Sequence, residues 1–92
     1  MKKLNMNEYD KIISECRTIS IKKNNDYGCK SLTNFGGKGV IIRVSDKIER
    51  LVNLVWHQNK MSVNEKVEDT CMDIINYCVY LIMMSRRKLI NK

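Results

Sequence analysis

The chain has 92 residues, which is enough for one domain and too short for two. Hydrophobic residues make up 43% of it, and this content excludes wholesale disorder. Seventeen basic and ten acidic residues leave a net charge of +7, which favours an anionic partner. The N-terminus is polar, without a signal-peptide pattern, and the four cysteines show no metal-binding spacing. We therefore expect a single domain, residues 1–92, in a reducing cytoplasm.

The first predicted helix covers residues 5–24, where apolar side chains recur close to a helical period. Residues 25–38 are predicted to form a loop, since Asn24-Asn25-Asp26-Tyr27-Gly28 supplies turn chemistry and three further glycines follow at 36, 37 and 39. This loop contains no P-loop motif, because the Gly-x-x-x-x-Gly-Lys-Ser/Thr pattern is absent. Its aromatic residues, Tyr27 and Phe35, are of a kind that stacks on nucleobases.

The second predicted helix covers residues 39–59 and has two distinct faces. One face is apolar and is expected to pack in the core: Val40, Val44, Ile48, Leu51 and Val55. The other face is charged and carries Arg43, Asp46, Lys47 and Arg50. The planar guanidinium of arginine suits bidentate contacts with phosphate, so two arginines on one face favour phosphate binding.

The third predicted helix covers residues 64–88 and is apolar on nearly every side after residue 70. Its apolar run is too short to span a bilayer and contains Asp73, so we expect a buried helix and no membrane partner. Such a helix needs more neighbours than this chain supplies. The sequence therefore predicts an all-α bundle of three main helices that forms a homo-oligomer, a dimer or larger.

A row of polar residues crosses this apolar helix. Glu65, Asp69 and Asp73 are spaced i, i+4, i+8, and Asn76 and Tyr80 continue the row. A carboxylate in such apolar surroundings is costly unless a cation or a metal meets it. Two interpretations remain open at this point: the acidic row and the basic face neutralise one another, or they line a pocket that holds phosphate, sugar and Mg²⁺.

Four motifs follow one another along the chain: Lys23-Asn24-Asn25-Asp26-Tyr27-Gly28, Phe35-Gly36, Arg43-x-x-Asp46-Lys47-x-x-Arg50-Leu51 and Asp69-Thr70-x-x-Asp73-x-x-Asn76-Tyr77. This ordered combination resembles the phage and bacterial nucleotide modification associated domain family, which is itself similar to the all-α MazG-like nucleotide pyrophosphohydrolases. The resemblance implies a helical, oligomeric, nucleotide-handling protein of the kind that phages carry. MazG-like enzymes hold Mg²⁺ with Glu-x-x-Glu and Glu-x-x-Asp pairs. This chain has Asp46-x-x-Glu49 instead, and Thr70 stands where a glutamate is expected.

We therefore predict a protein that binds a phosphorylated nucleotide or a nucleotide-derived signal without turnover, as in phage anti-defence sequestration of an immune signal. The alternative is a Mg²⁺-dependent nucleoside triphosphate pyrophosphohydrolase or an accessory factor in nucleotide modification. Nucleic acid is a disfavoured partner, since the basic residues lie beside carboxylates that would repel its backbone. Binding requires no cofactor, and Mg²⁺ is optional.

The candidate residues fall into three groups, and no catalytic residue is assigned. The predicted ligand- or phosphate-binding residues are Lys23, Asp26, Tyr27, Phe35, Arg43, Lys47 and Arg50. The predicted carboxylates for a ligand or a metal are Asp46, Glu65, Asp69 and Asp73. If Mg²⁺ is bound, its expected ligands are Asp46, Glu49, Asp69 and Asp73.

Overall fold

A computed structural model describes the chain over residues 1–28, 30–57 and 63–91, without the side chains at 27, 31 and 63–65. Those residues form three long helices and one short one, and no strand. The helices are α1 (Met6–Tyr27), α2 (Lys30–Thr33), α3 (Gly36–Trp56) and α4 (Val63–Arg86). The predicted all-α fold is confirmed. None of the described helices is both long and apolar enough to cross a membrane.

Helix α1 begins at a side-chain cap and ends at a glycine. The Asn5 side-chain oxygen accepts hydrogen bonds from the backbone N–H groups of Asn7 and Glu8, at 3.0 and 3.2 Å. At the other end, Gly28 adopts a positive φ of 69°, which favours glycine, and its N–H donates to the Asn24 carbonyl at 2.8 Å. The helix therefore continues to Tyr27, three residues beyond its predicted end at residue 24.

The predicted loop over residues 25–38 is wrong for most of its length, because α2 occupies Lys30–Thr33 and α3 already begins at Gly36. The glycines there permit close packing of backbone on backbone. The Gly37 N–H donates to the Ile90 carbonyl at 3.0 Å. A Cβ atom on Gly37 would lie only 2.9 Å from that carbonyl oxygen. The C-terminal tail therefore packs directly on the backbone of α3 at Gly37.

The residues after α4 reverse the direction of the chain and so form this tail. Lys88 adopts φ 56°, its N–H donates to the Ser85 carbonyl at 3.1 Å, and the Leu89 N–H donates to the Met84 carbonyl at 2.8 Å. These two bonds form a Schellman motif, in which a left-handed residue satisfies the last helical carbonyls and reverses the chain. As a result α4 ends at Arg86, short of the predicted residue 88, and Ile90 reaches α3.

Helix α4 lies between α1 and α3 and packs most extensively against α3, while α2 packs on α3. The molecule is open for its length: its radius of gyration is 14.8 Å, against about 12 Å expected for a compact chain of this size. Few apolar side chains of the described residues are buried, namely Cys16, Val40, Leu54 and Met84. One chain therefore leaves much apolar surface in contact with solvent.

The predicted core face of α3 is only partly buried. Val40 is completely buried, but Ile48 and Val55 remain 49% and 60% exposed. The helix turns Val40 and Leu54 toward the interior, and Ile48 and Val55 lie beside that contact line. The prediction was wrong for these two residues because too few helices are present to cover the whole apolar arc.

Candidate functional site

The second half of the polar row on α4 faces α1. Asp73 forms an ion pair with Lys23, the Asn76 side-chain amide donates to the buried Cys16 carbonyl at 3.0 Å, and the hydroxyls of Tyr80 and Ser20 share a hydrogen bond. The three α4 residues are spaced i, i+3, i+7, which places them on one side of the helix. This row therefore fixes how α1 lies on α4.

Asp73 is the point where three helices meet. Its Oδ1 lies 2.7 Å from Nζ of Lys23 on α1, and its Oδ2 lies 3.0 Å from Nζ of Lys47 on α3. The Asp73 side chain is only 16% exposed. Mutual neutralisation thus describes this carboxylate, because both of its oxygens are engaged by ammonium groups.

The pKa values follow from this geometry. Burial by itself would raise the pKa of Asp73, but hydrogen bonds from Lys23 and Lys47 outweigh burial and hold it below its ordinary value. The bond to Asp73 in turn raises the pKa of Lys23. Burial, with the negative charges of Glu15 and Asp73, raises the pKa of the Cys16 thiol. Asp73 is therefore a carboxylate, and Cys16 a thiol, at neutral pH.

A cleft of about 750 Å³ opens beside this ion pair. Its volume falls within the range of about 300–1,000 Å³ that is usual for small-ligand sites. The walls come from the end of α1, from α2, from one residue of α3, from α4 and from the C-terminal tail. The lining residues are Ser20, Lys23, Asn24, Gly28, Leu32, Thr33, Arg43, Tyr77, Tyr80, Met83, Met84, Arg87 and Leu89.

Two tyrosines form the aromatic wall of the cleft. The rings of Tyr77 and Tyr80 meet edge to face, with centroids 6.3 Å apart and planes at 75°. The hydrogen bond between Tyr80 and Ser20 fixes the second ring from the α1 side. Both rings belong to one rigid helix, so this wall presents aromatic surface with little conformational freedom to lose on binding a flat ligand.

Three cations line the same cleft, and no carboxylate is among the described lining residues. Lys23 comes from α1, Arg43 from α3, and Arg87 from the turn after α4, where its Nη1 donates to the Met83 carbonyl at 3.1 Å. Clustered cations in a partly enclosed space attract anions strongly, because the surrounding protein screens charge less than water does. The arrangement suits a ligand that joins an aromatic group to a phosphate.

The predicted basic face of α3 is divided between three surroundings. Arg43 lines the cleft and Lys47 binds Asp73. Arg50 lies in a second, more open depression of about 680 Å³ on the α3 and α4 surface. That depression has mixed charge and is lined by Asp46, Lys47, Glu49, Arg50, Asn53, Leu54 and Lys66.

The remaining predicted residues lie elsewhere. Asp26, Phe35 and Asp69 are exposed and line neither the cleft nor the depression. The side chains of Tyr27 and Glu65 lie outside the described residues. Among the described residues no group of three His, Cys, Asp or Glu is placed to share a metal, and both oxygens of Asp73 are engaged by lysines. The Mg²⁺ site stays a prediction.

Sequence reasoning missed part of the cleft. Tyr77 and Arg87 were not among the candidate site residues, and Tyr80 was noted only as a member of the polar row. The available signal was spacing, because Tyr77 and Tyr80 follow Asp73 at i+4 and i+7 and so share its side of the helix. No local sequence pattern predicts that Arg87 lines the cleft, since its position depends on how the chain turns after α4.

Comparison with protein families adds an independent finding. The family described as nucleotide modification associated domain 1 matches residues 23–84, which is 62 of the 92 residues. The matched segment contains most of the cleft, including Lys23, Arg43, Tyr77 and Tyr80. Comparisons with curated proteins and with solved structures give no match. The MazG-like relation stays a prediction, whereas the family itself is shown: this chain belongs to the nucleotide modification associated domain 1 family.

Proposed function

We propose that this protein binds a phosphorylated nucleotide, or a small molecule derived from one, in the cleft between α1, α2 and α4. The observation that carries the proposal is the convergence of Lys23, Arg43 and Arg87 on the same space as the tyrosine pair. Phosphate and nucleobase are the two chemical groups that such a set of side chains recognises. The family description, which links the domain to nucleotide modification, supports the same class of ligand.

Each wall of the cleft has a role in this proposal. The Arg43 and Arg87 guanidiniums hold phosphate oxygens by charge-assisted hydrogen bonds, and Lys23 adds a third positive charge. The base lies against Tyr77 or Tyr80, and Leu32, with the methionines, excludes water from its edge. The ribose remains near the polar groups of Ser20 and Asn24.

Binding without turnover is the form of the function that we propose. The described lining of the cleft contains no carboxylate, histidine or cysteine that would activate a water molecule. The nearest carboxylate, Asp73, has both oxygens engaged by lysines. Capture of a nucleotide-derived signal, of the kind that phages use against host defence, is the biological role that this chemistry suits. Mg²⁺-dependent pyrophosphohydrolysis is the alternative.

Calorimetric titration with AMP, ADP and ATP, in chelator and in excess Mg²⁺, tests binding. Arg87→Gln should weaken binding about 10- to 100-fold, since it removes a charge-assisted bond to phosphate. Arg86→Gln is the matched control, because Arg86 is the neighbouring residue, is exposed and does not line the cleft. Equal affinity of both variants, or no binding by the wild-type protein, would refute the proposed site.

The fate of the ligand separates capture from catalysis. The protein is incubated with ATP and Mg²⁺ and denatured, and the released nucleotide is analysed by chromatography. Intact ATP supports capture. AMP with pyrophosphate would establish the alternative and reject binding without turnover.

A further inference from the structure

One side of α4 forms the long wall of the cleft. Its lining residues follow Asp73 in a single row, at spacings of 4, 3, 4 and 3 residues: Tyr77, Tyr80, Met84 and Arg87. Such spacing keeps side chains on one side of an α-helix. Arg87 extends the row past the last residue of α4, because its backbone N–H donates to the Met83 carbonyl at 3.2 Å, four residues back, as in a helix.

Each end of this row has a cation. At the first end, Nζ of Lys23 lies 2.7 Å from Oδ1 of Asp73. At the other end, Nη1 of Arg87 donates to the Met83 carbonyl at 3.1 Å, so the guanidinium stays at the last turn of the helix. From Asp73 to Met83 an α-helix rises about 15 Å. The tyrosine pair lies between these two levels, so the wall presents a cation, then aromatic rings, then a second cation.

Both cations keep hydrogen-bonding capacity for a ligand. An ammonium group has three N–H donors and a guanidinium has five. Within the part of the chain that the structure describes, Lys23 donates to Asp73 and Arg87 to the Met83 carbonyl, one bond each. The Lys23 side chain is about half exposed, and Arg87 is exposed. Each can therefore bind a phosphate without giving up the contact it already makes.

We propose that the ligand of this cleft is a nucleoside with phosphate groups on both sides of its ribose. This unit is a nucleoside 3′,5′-bisphosphate, free or as part of a short linear oligonucleotide. One phosphate binds Lys23, the other binds Arg87, and the base lies against the tyrosines between them. The inference rests on the proposed function and specifies which nucleotide fits the same cleft.

The distance between the cations excludes one phosphate group as the partner of both. A charge-assisted hydrogen bond from nitrogen to a phosphate oxygen is about 2.7–2.9 Å long. With one such bond at each end, about 9 Å remains between the outer oxygens of the bound groups. That span is much wider than a single phosphate, and it suits two phosphates that are separated by a ribose.

The order of groups along the wall excludes a single chain of phosphates. In ADP and ATP the phosphates follow one another on the same side of the nucleoside. Such a chain cannot place an aromatic base between two charges, whereas a 3′,5′-bisphosphate can. Arg43 adds a positive charge from α3 and strengthens the attraction for anions at either end, so Lys23 and Arg87 are the residues that decide between the two arrangements.

Calorimetric titration of the wild-type protein with two isomers, in chelator, tests the arrangement. Adenosine 3′,5′-bisphosphate and ADP share the base, the ribose and the number of phosphates, and differ only in where the second phosphate is attached. The 3′,5′-bisphosphate should bind about 10-fold or more tightly than ADP, since its second phosphate gains a charge-assisted bond. ATP should also bind more weakly than the bisphosphate, which shows that total charge is not the cause.

The outcomes of this titration separate the inference from the proposed function. Binding of ADP or ATP as tightly as the 3′,5′-bisphosphate, or more tightly, would overturn the inference and leave nucleotide binding in the cleft intact. Failure of the wild-type protein to bind any of the three would refute both.

A substitution at the first end tests the two-ended contact. Lys23→Gln should weaken binding of the 3′,5′-bisphosphate about 10-fold or more. It should affect AMP much less, because the single phosphate of AMP binds at Arg87. Lys22→Gln is the matched control, since Lys22 is the neighbouring residue, is exposed and does not line the cleft.

Thermal unfolding checks that Lys23→Gln, which loses the ion pair with Asp73, remains folded. The comparison of isomers needs no variant and decides the question if it does not. An equal loss of affinity for AMP and for the bisphosphate in Lys23→Gln would overturn the two-ended contact.

Two further ligands identify the source of the bisphosphate unit and the role of the base. The dinucleotide pApA carries the same unit with a second adenosine on its 3′-phosphate. Binding of pApA at least as tight as that of the free bisphosphate would support an oligonucleotide as the source, and weaker binding would support the free nucleoside bisphosphate. Fructose 1,6-bisphosphate has separated phosphates and no base, and it should bind weakly because it cannot stack on the tyrosines. Equally tight binding of this sugar would overturn the assignment of a nucleoside.

Discussion

The Asp73 side chain links three helices and also balances the charge of two lysines. It is mostly buried, and it is tolerated there because two lysines from different helices meet its two oxygens. Lys23, one of those two, also lines the cleft and is about half exposed. In the proposed complex a ligand phosphate would therefore share Lys23 with Asp73, and the carboxylate would reduce the positive charge that the ligand meets.

Asp73→Asn should lower the free energy of unfolding by about 1–2 kcal/mol at neutral pH, a figure kept small because Lys23 is half exposed. The folded pKa of Asp73 is depressed, so its contribution is present above the unfolded pKa of about 3.9 and is lost as pH falls through the folded value. Urea unfolding at pH 7 and pH 3 checks this.

The wild-type and variant curves should therefore converge in acid. They should also converge at high pH, because the raised pKa of Lys23 means that its contribution is present below about 10.4 and lost as pH rises through the folded value. Asp69→Asn is the control, since Asp69 is exposed one turn earlier on α4. A stability gap between wild type and Asp73→Asn that did not narrow from pH 7 to pH 3 would contradict this account.

Asp73→Asn should also bind ATP more tightly than the wild-type protein does. Removing the carboxylate releases Lys23 to the ligand, and the gain should be greater for ATP than for AMP because ATP carries more negative charge. Titration calorimetry at low ionic strength measures both affinities. Equal or weaker binding of ATP by the variant would show that Lys23 does not reach the ligand.

At the scale of elements, the contact between the C-terminal tail and α3 depends on Gly37. A side chain there would collide with backbone atoms of Ile90, and backbone cannot move aside as a flexible side chain can. Gly37→Ala should therefore destabilise the protein by about 1–3 kcal/mol. Gly28→Ala, where no atom lies within 4 Å, isolates the backbone cost of a positive φ. Thermal unfolding of the two variants compares crowding with conformational strain.

A substitution after the end of α4 should stabilise the protein. Lys88 has a left-handed backbone, a conformation that costs about 1 kcal/mol or more for a residue with a side chain. Lys88→Gly should relieve part of that cost and raise the melting temperature by a few degrees. A lower melting temperature would mean that the lysine side chain has a stabilising contact of its own.

The helices themselves could be predicted from the sequence, because amphipathic periodicity and capping residues are local signals. Their ends were less predictable: Gly28, rather than the run from Asn24 to Asp26, stops α1. The ion pair between Lys47 and Asp73 corresponds to mutual neutralisation, one of the two interpretations that the charged faces on α3 and α4 left open. The pairing of Lys23 with Asp73 could not be predicted, because it depends on how α1 is rotated against α4, and helical periodicity carries no information on that rotation.

At the scale of the whole molecule, the net charge of +7 should make the proposed ligand binding dependent on salt. The affinity for ADP should fall several-fold as ionic strength rises from about 0.05 to 0.5 M, because added salt shortens the distance over which the cations attract phosphate. Uridine, which lacks phosphate, should bind weakly and show almost no salt dependence. Calorimetry in a series of NaCl concentrations measures both, and identical salt dependence would contradict phosphate recognition by the three cations.

The folded-back tail has a practical consequence for handling the protein. Leu89 is part of the cleft wall, and Ile90 is anchored on α3 by the bond to Gly37. An affinity tag joined after this tail would therefore follow within a few residues of the cleft wall, where acidic residues in the tag would compete for the arginines. Placed before Met1, a tag precedes the capped start of α1, so affinities measured on N-terminally tagged protein should match those of the untagged chain.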